Sequence, residues 1–145
     1  MGKINCTRVL IGGLIAGVVL NVLWFAAWGP LVGHSLSAPL LALGHPMQET
    51  VGATVLMVVL GFLVGIVAIW LYAAIRPRYG AGPGTAVLAG VAAGLMMGVF
   101  PDAAWGLLLR LIPARVWVAD AVSTLVAVVI ATLLGAWVYK EQAEK

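Results

Sequence analysis

The sequence predicts an all-α integral membrane protein with four transmembrane helices and both termini in the cytoplasm. Hydrophobic residues make up 63% of the 145 positions and charged residues only 9%, whereas soluble domains average about 45–50% and about 25%. The apolar residues form four runs, each long enough for a hydrocarbon core of about 30 Å. These two observations exclude the soluble classes, and the positions of the basic residues give the orientation.

We expect one transmembrane domain, 1–145, with helices at about 9–28, 51–75, 84–101 and 116–139. An outer loop, 29–50, joins the first two helices, and a cytoplasmic loop, 76–84, joins the second and third. The first apolar run is longer than the roughly 7–15 residues of a signal-peptide core, so we expect this helix to be retained. The lone Cys6 predicts no intramolecular disulfide.

Lysine and arginine residues are concentrated on one side of the predicted membrane, which is the cytoplasmic side because positively charged loops stay there. Six of the eight flank that side: Lys3, Arg8, Arg76, Arg78, Lys140 and Lys145. Tryptophan and tyrosine favour both interfaces. The outer set is Trp24, Trp28, Trp105 and Trp117, and the inner set is Trp70, Tyr72, Tyr79, Trp137 and Tyr139. Topology thus explains the net charge of +3, and we expect no nucleic-acid partner.

The two halves of the chain share a pattern that suggests a duplicated helical hairpin. Segments 9–29 and 87–106 align with one residue omitted, and both end in Ala-Ala-Trp-Gly. Segments 54–65 and 124–135 align without a gap, and each is followed by Trp-x-Tyr. Both copies would start in the cytoplasm, which predicts a parallel repeat about an axis along the membrane normal. Alternatively, helices rich in Gly, Ala, Val and Leu align by chance, and the sequence leaves both explanations open.

Small residues recur along one face of every predicted helix. Lipid provides no hydrophobic drive between helices, so close approach through such residues stabilises membrane bundles. The helix-packing candidates are Gly13, Gly17, Asn21, Gly61, Gly65, Gly90, Gly94, Gly98, Ala131 and Gly135. We favour packing over a pore lining or a sliding surface. For Asn21 we favour an interhelical hydrogen bond over contact with a ligand.

The outer loop contains both histidines. His34 and His45, together with Glu49, offer three groups that can bind a metal, but their spacing matches no established metal motif. We therefore expect solvated histidines and no cofactor, with a metal or haem site at His34 or His45 as the alternative. Residues 36–43 are too apolar for a free loop, and we expect them on the membrane surface or over the bundle.

Four charged residues are predicted near the outer ends of the third and fourth helices. They are Asp102, Arg110, Arg115 and Asp120. We expect ion pairs that clamp the helix ends. The alternative is a path for protons or cations, because ionisable residues at membrane depth are functional candidates. We also expect Pro101 to end the third membrane helix, with 103–112 as a short outer helix capped by Asp102.

The cytoplasmic loop is both basic and rich in glycine and proline. Arg76 and Arg78 are expected to fix the orientation and to contact anionic lipid headgroups, each contributing about 1 kcal/mol. Pro77 and the glycines from Gly80 to Gly84 are expected to break the helix. Glycine-rich backbone and arginine also suit phosphate, but the loop lacks the Lys-Ser/Thr of a phosphate-binding loop. We therefore expect no nucleotide binding.

Three segments carry a resemblance to a known family. They are Trp70-Leu-Tyr-Ala-Ala-Ile-Arg-Pro-Arg-Tyr-Gly-Ala-Gly-Pro-Gly-Thr-Ala86, Arg8-Val-Leu-Ile-Gly-Gly-Leu-Ile-Ala-Gly17 and Gly135-Ala-Trp-Val-Tyr-Lys-Glu141. The chain resembles a family of small, uncharacterised four-helix proteins of the bacterial inner membrane, with Arg-Pro-Arg-Tyr-Gly-x-Gly-Pro as the most specific part. The resemblance implies a bacterial inner-membrane protein, and it supplies no catalytic residues.

No Ser-His-acid set, catalytic carboxylate pair or Cys-x-x-Cys is apparent in the sequence, so we expect no enzyme. The leading hypothesis is an accessory or scaffold subunit whose glycine faces and outer loop dock onto its own copy or a larger membrane complex, with membrane lipids as further partners. The first alternative is a small-solute or ion transporter that acts as an oligomer, with Asn21, Asp102 and Asp120 as its polar residues. A third is a membrane subunit that binds a cofactor through His34 or His45.

Overall fold

The computed structural model of the chain describes residues 4–46, 50–110 and 113–140. Within these ranges every regular element is helical. The α-helices are α1 (Cys6–Trp28), α2 (His34–Ala42), α3 (Val51–Tyr79), α4 (Pro83–Gly94), α5 (Phe100–Leu109) and α6 (Ala114–Val138). Two π-helical segments, which have a wider turn, complete the fold. The first π segment, Gly29–Gly33, joins α1 to α2, and the second π segment, Leu95–Val99, joins α4 to α5.

Four of the described helical stretches are long and apolar enough to cross a membrane. They are Cys6–Trp28, Val51–Tyr79, Pro83–Leu108 and Ala114–Val138. This confirms the prediction of an all-helical chain with four helices of membrane-spanning length. We refer to the end of the bundle at the α3–α4 loop as the inner end, and to the opposite end, where α1 leads into α2, as the outer end.

The prediction that Pro77 breaks the second membrane helix is wrong. α3 continues through Pro77, and the inner loop is only three residues, 80–82. Pro77 lies in the last turn of α3, so its missing N–H removes a hydrogen bond near a helix end and not from the interior. The helix ends instead at Gly80 and Gly82, whose φ angles of 85° and 150° suit glycine. Pro83 then opens α4, a position that tolerates proline.

The prediction that Pro101 ends the third membrane helix is also wrong. The chain remains helical from Pro83 through the second π segment to Leu109. Pro101 lies in the first turn of α5, immediately after the π segment, so the proline falls where the backbone hydrogen bonding already changes. Asp102 therefore lies inside a helix turn and does not cap one, and α5 has no side-chain cap. α5 ends at Arg110, which adopts a left-handed conformation.

The outer loop is helical over much of its length. α1 continues through the first π segment into α2, which ends at Ala42. Val32 of the π segment is buried, whereas α2 has no buried residue. The apolar residues that the sequence suggested for a surface segment therefore lie mostly on an exposed helix beyond the outer end of α1.

The helices form a four-membered ring with one close diagonal. α1 packs against α3 and α6, α4 packs against α6 and α3, and α3 also contacts α6 across the ring. The neighbouring helices are antiparallel, because successive contacts advance along one helix and go back along the other. On α1 and α3 these contacts are Gly13–Ile66 and Gly17–Phe62. On α1 and α6 they are Asn5–Tyr139 and Gly12–Gly135, and on α4 and α6 they are Gly90–Thr132 and Gly94–Val128. The centre is filled by the fully buried side chains Leu20, Ile69, Val128 and Thr132.

Burial is uneven along α3. Its buried residues all lie between Gly61 and Ala73. Of the first ten residues, 51–60, only Val58 is half-buried, and the others are exposed around the whole circumference of the helix. The inner half of α3 is therefore part of the bundle, and the outer half projects from it.

Candidate functional site

Glycine residues form the closest contacts between helices. A Cβ atom placed on Gly65 would lie 2.6 Å from the Gly13 carbonyl oxygen and 2.6 Å from the Gly17 nitrogen. On Gly13 it would lie 2.6 Å from the Cα of Ile66, and on Gly17 2.8 Å from the Cα of Phe62. The backbones of α1 and α3 are thus in direct contact, which requires the absence of side chains at these positions.

Glycine residues also allow close contacts where α6 packs against α1, α4 and the second π segment. A Cβ atom on Gly90 would lie 2.9 Å from the Cα of Val129, one on Gly94 would meet Leu125, one on Gly98 would meet Thr124, and one on Gly135 would meet the Gly12 carbonyl oxygen. Ala131 is buried beside them. These glycine faces are therefore occupied by neighbouring helices of the same chain.

Asn21 makes a polar contact between α1 and α3. Its Nδ2 donates to the Gly17 carbonyl oxygen at 2.8 Å and to the Val58 carbonyl oxygen at 3.2 Å. Gly61 leaves room for the amide, since a Cβ atom there would lie 2.5 Å from Nδ2. Both donor hydrogens of the amide are thereby used within the bundle, and the geometry is that of a structural hydrogen bond between helices.

Asp102 and Asp120 lie opposite each other at the outer end. Gly98 of the second π segment contacts Thr124, and Gly106 of α5 contacts Trp117, which places Asp102 and Asp120 midway between these two contacts. Both side chains are half-buried, and the Asp120 carboxylate is close enough to affect Asp102 electrostatically. Two adjacent carboxylates in this setting can share a proton or bind a cation.

The second π segment turns Asp102 towards α6. From α4 through the second π segment to α5, the residues that face α6 are spaced by four positions: Gly90, Gly94, Gly98, Asp102 and Gly106. In a regular helix each such step advances the face by about 40°, so the last positions would point well away from α6. The wider π turn absorbs this drift. Asp102 therefore faces its partner helix because of a local change of helix type.

The ion pairs expected at the outer end do not form among the described residues. Arg110 and Arg115 are exposed, and Asp102 Oδ2 is buried without a hydrogen-bond donor from the described residues. On α6 the five-residue spacing sets Arg115 and Asp120 about 140° apart, whereas pairs on a helix need three or four residues. The clamp of ion pairs therefore stays a prediction, with no such pair among the described residues.

A buried aromatic contact joins α1, α3 and α6 at the inner end. The rings of Tyr72 and Tyr139 meet edge to face with centroids 5.8 Å apart, and the Arg76 guanidinium lies 5.5 Å from the centre of the Tyr139 ring. The Tyr139 hydroxyl accepts a hydrogen bond at 3.3 Å from the backbone N–H of Asn5. The sequence predicted these tyrosines at the inner level but did not predict that they lie inside the bundle. The Trp-x-Tyr sequence that follows each aligned segment was the available signal.

The inner loop lines a shallow pocket of about 320 Å³ formed by Tyr79, residues 81–85 and Leu88. Thr85 donates from its hydroxyl to the Gly80 carbonyl oxygen at 2.8 Å, so this hydroxyl is used to hold the loop. Arg78 is exposed at the same end. Of the two arginines expected at the lipid headgroups, Arg78 is therefore the more accessible, and Arg76 is half-buried against Tyr139.

The two histidines lie apart from the bundle core. His34 begins α2 and His45 follows its end, and both are exposed. Glu49, the third candidate ligand, lies outside the described residues. Among 4–46, 50–110 and 113–140 there is no group of three or more His, Cys, Asp or Glu side chains placed to hold a metal ion.

Comparison of the chain with models of protein families, with curated proteins and with solved structures gives no match.

Proposed function

We propose that the protein is a non-enzymatic accessory or scaffold subunit of a membrane assembly, and that it associates laterally through its outer segment. The outer segment is α2 together with residues 51–60 of α3. The observation that carries this proposal is that α2 has no buried residue and that residues 51–60 of α3 are all exposed except the half-buried Val58, whereas the rest of the bundle has its close-contact faces occupied internally.

The start of α3 has the composition of a surface that another helix can approach. Gly52, Ala53 and Thr54 are exposed there, and a Cβ atom on Gly52 would have no neighbour within 4 Å. Small residues let helix backbones come close in a membrane. Residues 51–60, nine of which are exposed, extend over about 15 Å, which is half of a hydrocarbon core. The occupant would be a second copy of the chain or a helix of a larger complex.

We further propose that the protein lies in the bacterial inner membrane with both termini in the cytoplasm. The exposed basic residues at the inner end, with Arg78 and Lys140 among them, support this orientation because such residues remain on the cytoplasmic side. The resemblance to small bacterial inner-membrane proteins supports the location. A fluorescent protein fused to the C-terminus should fluoresce in the cytoplasm; an external C-terminus would reverse the orientation.

We also infer that the bundle is a duplicated hairpin with an axis along the membrane normal. α1 and α4 run from the inner to the outer end, and α3 and α6 return, which is the arrangement that a parallel repeat requires. Tyr72 and Tyr139, which come from the Trp-x-Tyr sequences that follow the two aligned segments, meet ring to ring, which supports the duplication.

A pair of matched substitutions tests the docking surface. Ala53 and Ala74 are both exposed positions of α3, the first in the outer segment and the second near the inner end. We expect native mass spectra of gently extracted protein to show a homo-oligomer or a complex of fixed ratio for wild type and Ala74→Trp, and its loss for Ala53→Trp. A wild-type monomer with lipid only, or equal assembly of both variants, would refute the docking role.

Transport by an oligomer is the second candidate, and the facing carboxylates Asp102 and Asp120 favour it. The centre of a single bundle is filled by apolar side chains such as Leu20, Ile69 and Val128, so a path would have to run between copies. Flux of protons or cations into liposomes should then be lost in Asp120→Asn and retained in Arg115→Gln, a control that changes an exposed charge nearby. Absence of flux for the wild type would remove this candidate.

A further inference from the structure

Four of the six tryptophans point away from the bundle. Trp28, Trp70, Trp105 and Trp137 have exposed fractions of 41%, 52%, 65% and 84%. The other two, Trp24 and Trp117, are half-buried between helices. Large aromatic side chains directed outwards from a membrane bundle contact lipid, and tryptophan favours the boundary between hydrocarbon and headgroups.

Two of these tryptophans lie at one level near the outer end. Gly106 contacts Trp117, so Trp105 lies beside the level of Val118 on α6. Gly12 contacts Gly135, and counting sixteen residues along the two antiparallel helices from this contact places Trp28 opposite Ala119. Trp28 and Trp105 therefore share one level, although they belong to α1 and α5.

The other two lie at one level near the inner end. The antiparallel contacts of Gly13 with Ile66 and of Gly17 with Phe62 place Trp70 opposite Val9 of α1. The contact of α1 with α6 places Val9 in turn opposite Val138, next to Trp137. Nineteen positions of α6 separate Val118 from Trp137, which corresponds to about 28 Å at about 1.5 Å per residue.

The positions of the exposed basic residues agree with these two tryptophan levels. The exposed basic residues Arg110 and Arg115 lie beyond the outer level, and Arg78 and Lys140 lie beyond the inner one. Between the levels the outward faces carry large apolar side chains, for example Val122, Val126 and Ile130 along α6. Headgroup-attracted charges outside and apolar surface inside are the complement of a phospholipid bilayer.

We propose that Trp28 and Trp105 form an outer lipid-facing ring and Trp70 and Trp137 an inner one, and that these rings hold the protein in a phospholipid bilayer with a hydrocarbon core about 28 Å thick. The carboxylates Asp102 and Asp120 then lie within one helical turn of the outer boundary. This inference is independent of the assembly role, since an isolated bundle and a bundle in a complex would occupy the same depth.

Tryptophan quenching by lipids brominated at defined depths tests the rings. Four variants each keep one ring tryptophan and carry Phe at the other five positions, and a fifth keeps only Trp24 as the control. Each ring tryptophan should lie about 14 Å from the bilayer centre, and Trp24 should be quenched less because it packs between helices. A ring tryptophan near the centre, or one quenched only from the aqueous phase, would overturn the proposal.

The wild-type protein provides a second measurement that needs no substitution. Its unfolding midpoint is compared in bilayers of phosphatidylcholine and phosphatidylglycerol with short, intermediate and long acyl chains. A core of about 28 Å should give the highest midpoint, with lower values in thinner and thicker bilayers because mismatch has a cost. A midpoint that rises or falls steadily across the series would contradict the thickness derived from the rings.

Discussion

Replacing Gly65 with alanine should separate α1 from α3. The added Cβ atom would lie 2.6 Å from two backbone atoms of α1, the Gly13 carbonyl oxygen and the Gly17 nitrogen, whereas ordinary contacts begin at 3.4 Å. Backbone cannot rotate out of the way as the end of a side chain can. The two helices must therefore move apart by about 0.8 Å or distort locally, a change typical of overpacked interiors.

The energetic cost has three parts. Overpacking costs about 1–3 kcal/mol. The same movement lengthens the 3.2 Å hydrogen bond from Asn21 to the Val58 carbonyl oxygen beyond hydrogen-bond range, which costs about 0.6 kcal/mol more. Alanine offsets about 1 kcal/mol of this through its higher helix propensity. We expect Gly65→Ala to lower the free energy of unfolding by about 1.5 kcal/mol.

Gly52→Ala is the matched control. Gly52 lies on the same helix, and a Cβ atom there would have no neighbour within 4 Å, so only the gain in helix propensity remains. The assay is unfolding in mixed micelles by titration with a denaturing detergent, followed by the helical circular dichroism. Equal stability of the two variants would show that α1 and α3 are farther apart than the close backbone contact at Gly65 implies.

Three further substitutions test other contacts in the same assay. Asn21→Ala should lower the free energy of unfolding by about 1 kcal/mol, because the hydrogen bond to the carbonyl group of α3 is lost; an unchanged value would mean that water replaces it. Tyr139→Phe keeps the aromatic ring but removes the hydroxyl that accepts from Asn5; we expect a loss of about 0.5–1.5 kcal/mol and faster hydrogen exchange of the Asn5 amide, and unchanged exchange would refute the contact. Gly80→Ala forces alanine into a φ of 85° and should cost about 1 kcal/mol, whereas Gly84→Ala, inside α4 with no neighbour within 4 Å, should be neutral or stabilising; the reverse order would contradict the loop conformation.

The existence of the four long helices could be predicted from the sequence because it depends on composition and run length alone. The residues at which these helices end could not be predicted from the sequence. Pro77 and Pro101 are helix breakers by rule, yet one lies in a last turn and the other in a first turn. At Pro77 only the last turn of α3 loses a hydrogen bond, and at Pro101 the π segment has already changed the hydrogen bonding. The sequence does not reveal either context.

The facing arrangement of Asp102 and Asp120 could not be predicted for a different reason. A regular helical period places Asp102 on a face different from that of Gly94, and only the second π segment brings both towards α6. The small-residue faces of α1, α3 and α6, in contrast, follow the ordinary period and could be read directly, although the sequence did not say which helix each face would meet.

The contact between Asn5 and Tyr139 has a consequence for biosynthesis. The start of α1 is completed by a residue that leaves the ribosome more than 130 positions later, on the order of ten seconds at ordinary rates of translation. During that interval α1 has only α3 as a neighbour, and the face that Gly12 offers to α6 is covered by lipid or by the insertion machinery. The bundle therefore closes only when α6 has entered the membrane, and a ribosome that stalls before Tyr139 leaves an open three-helix intermediate.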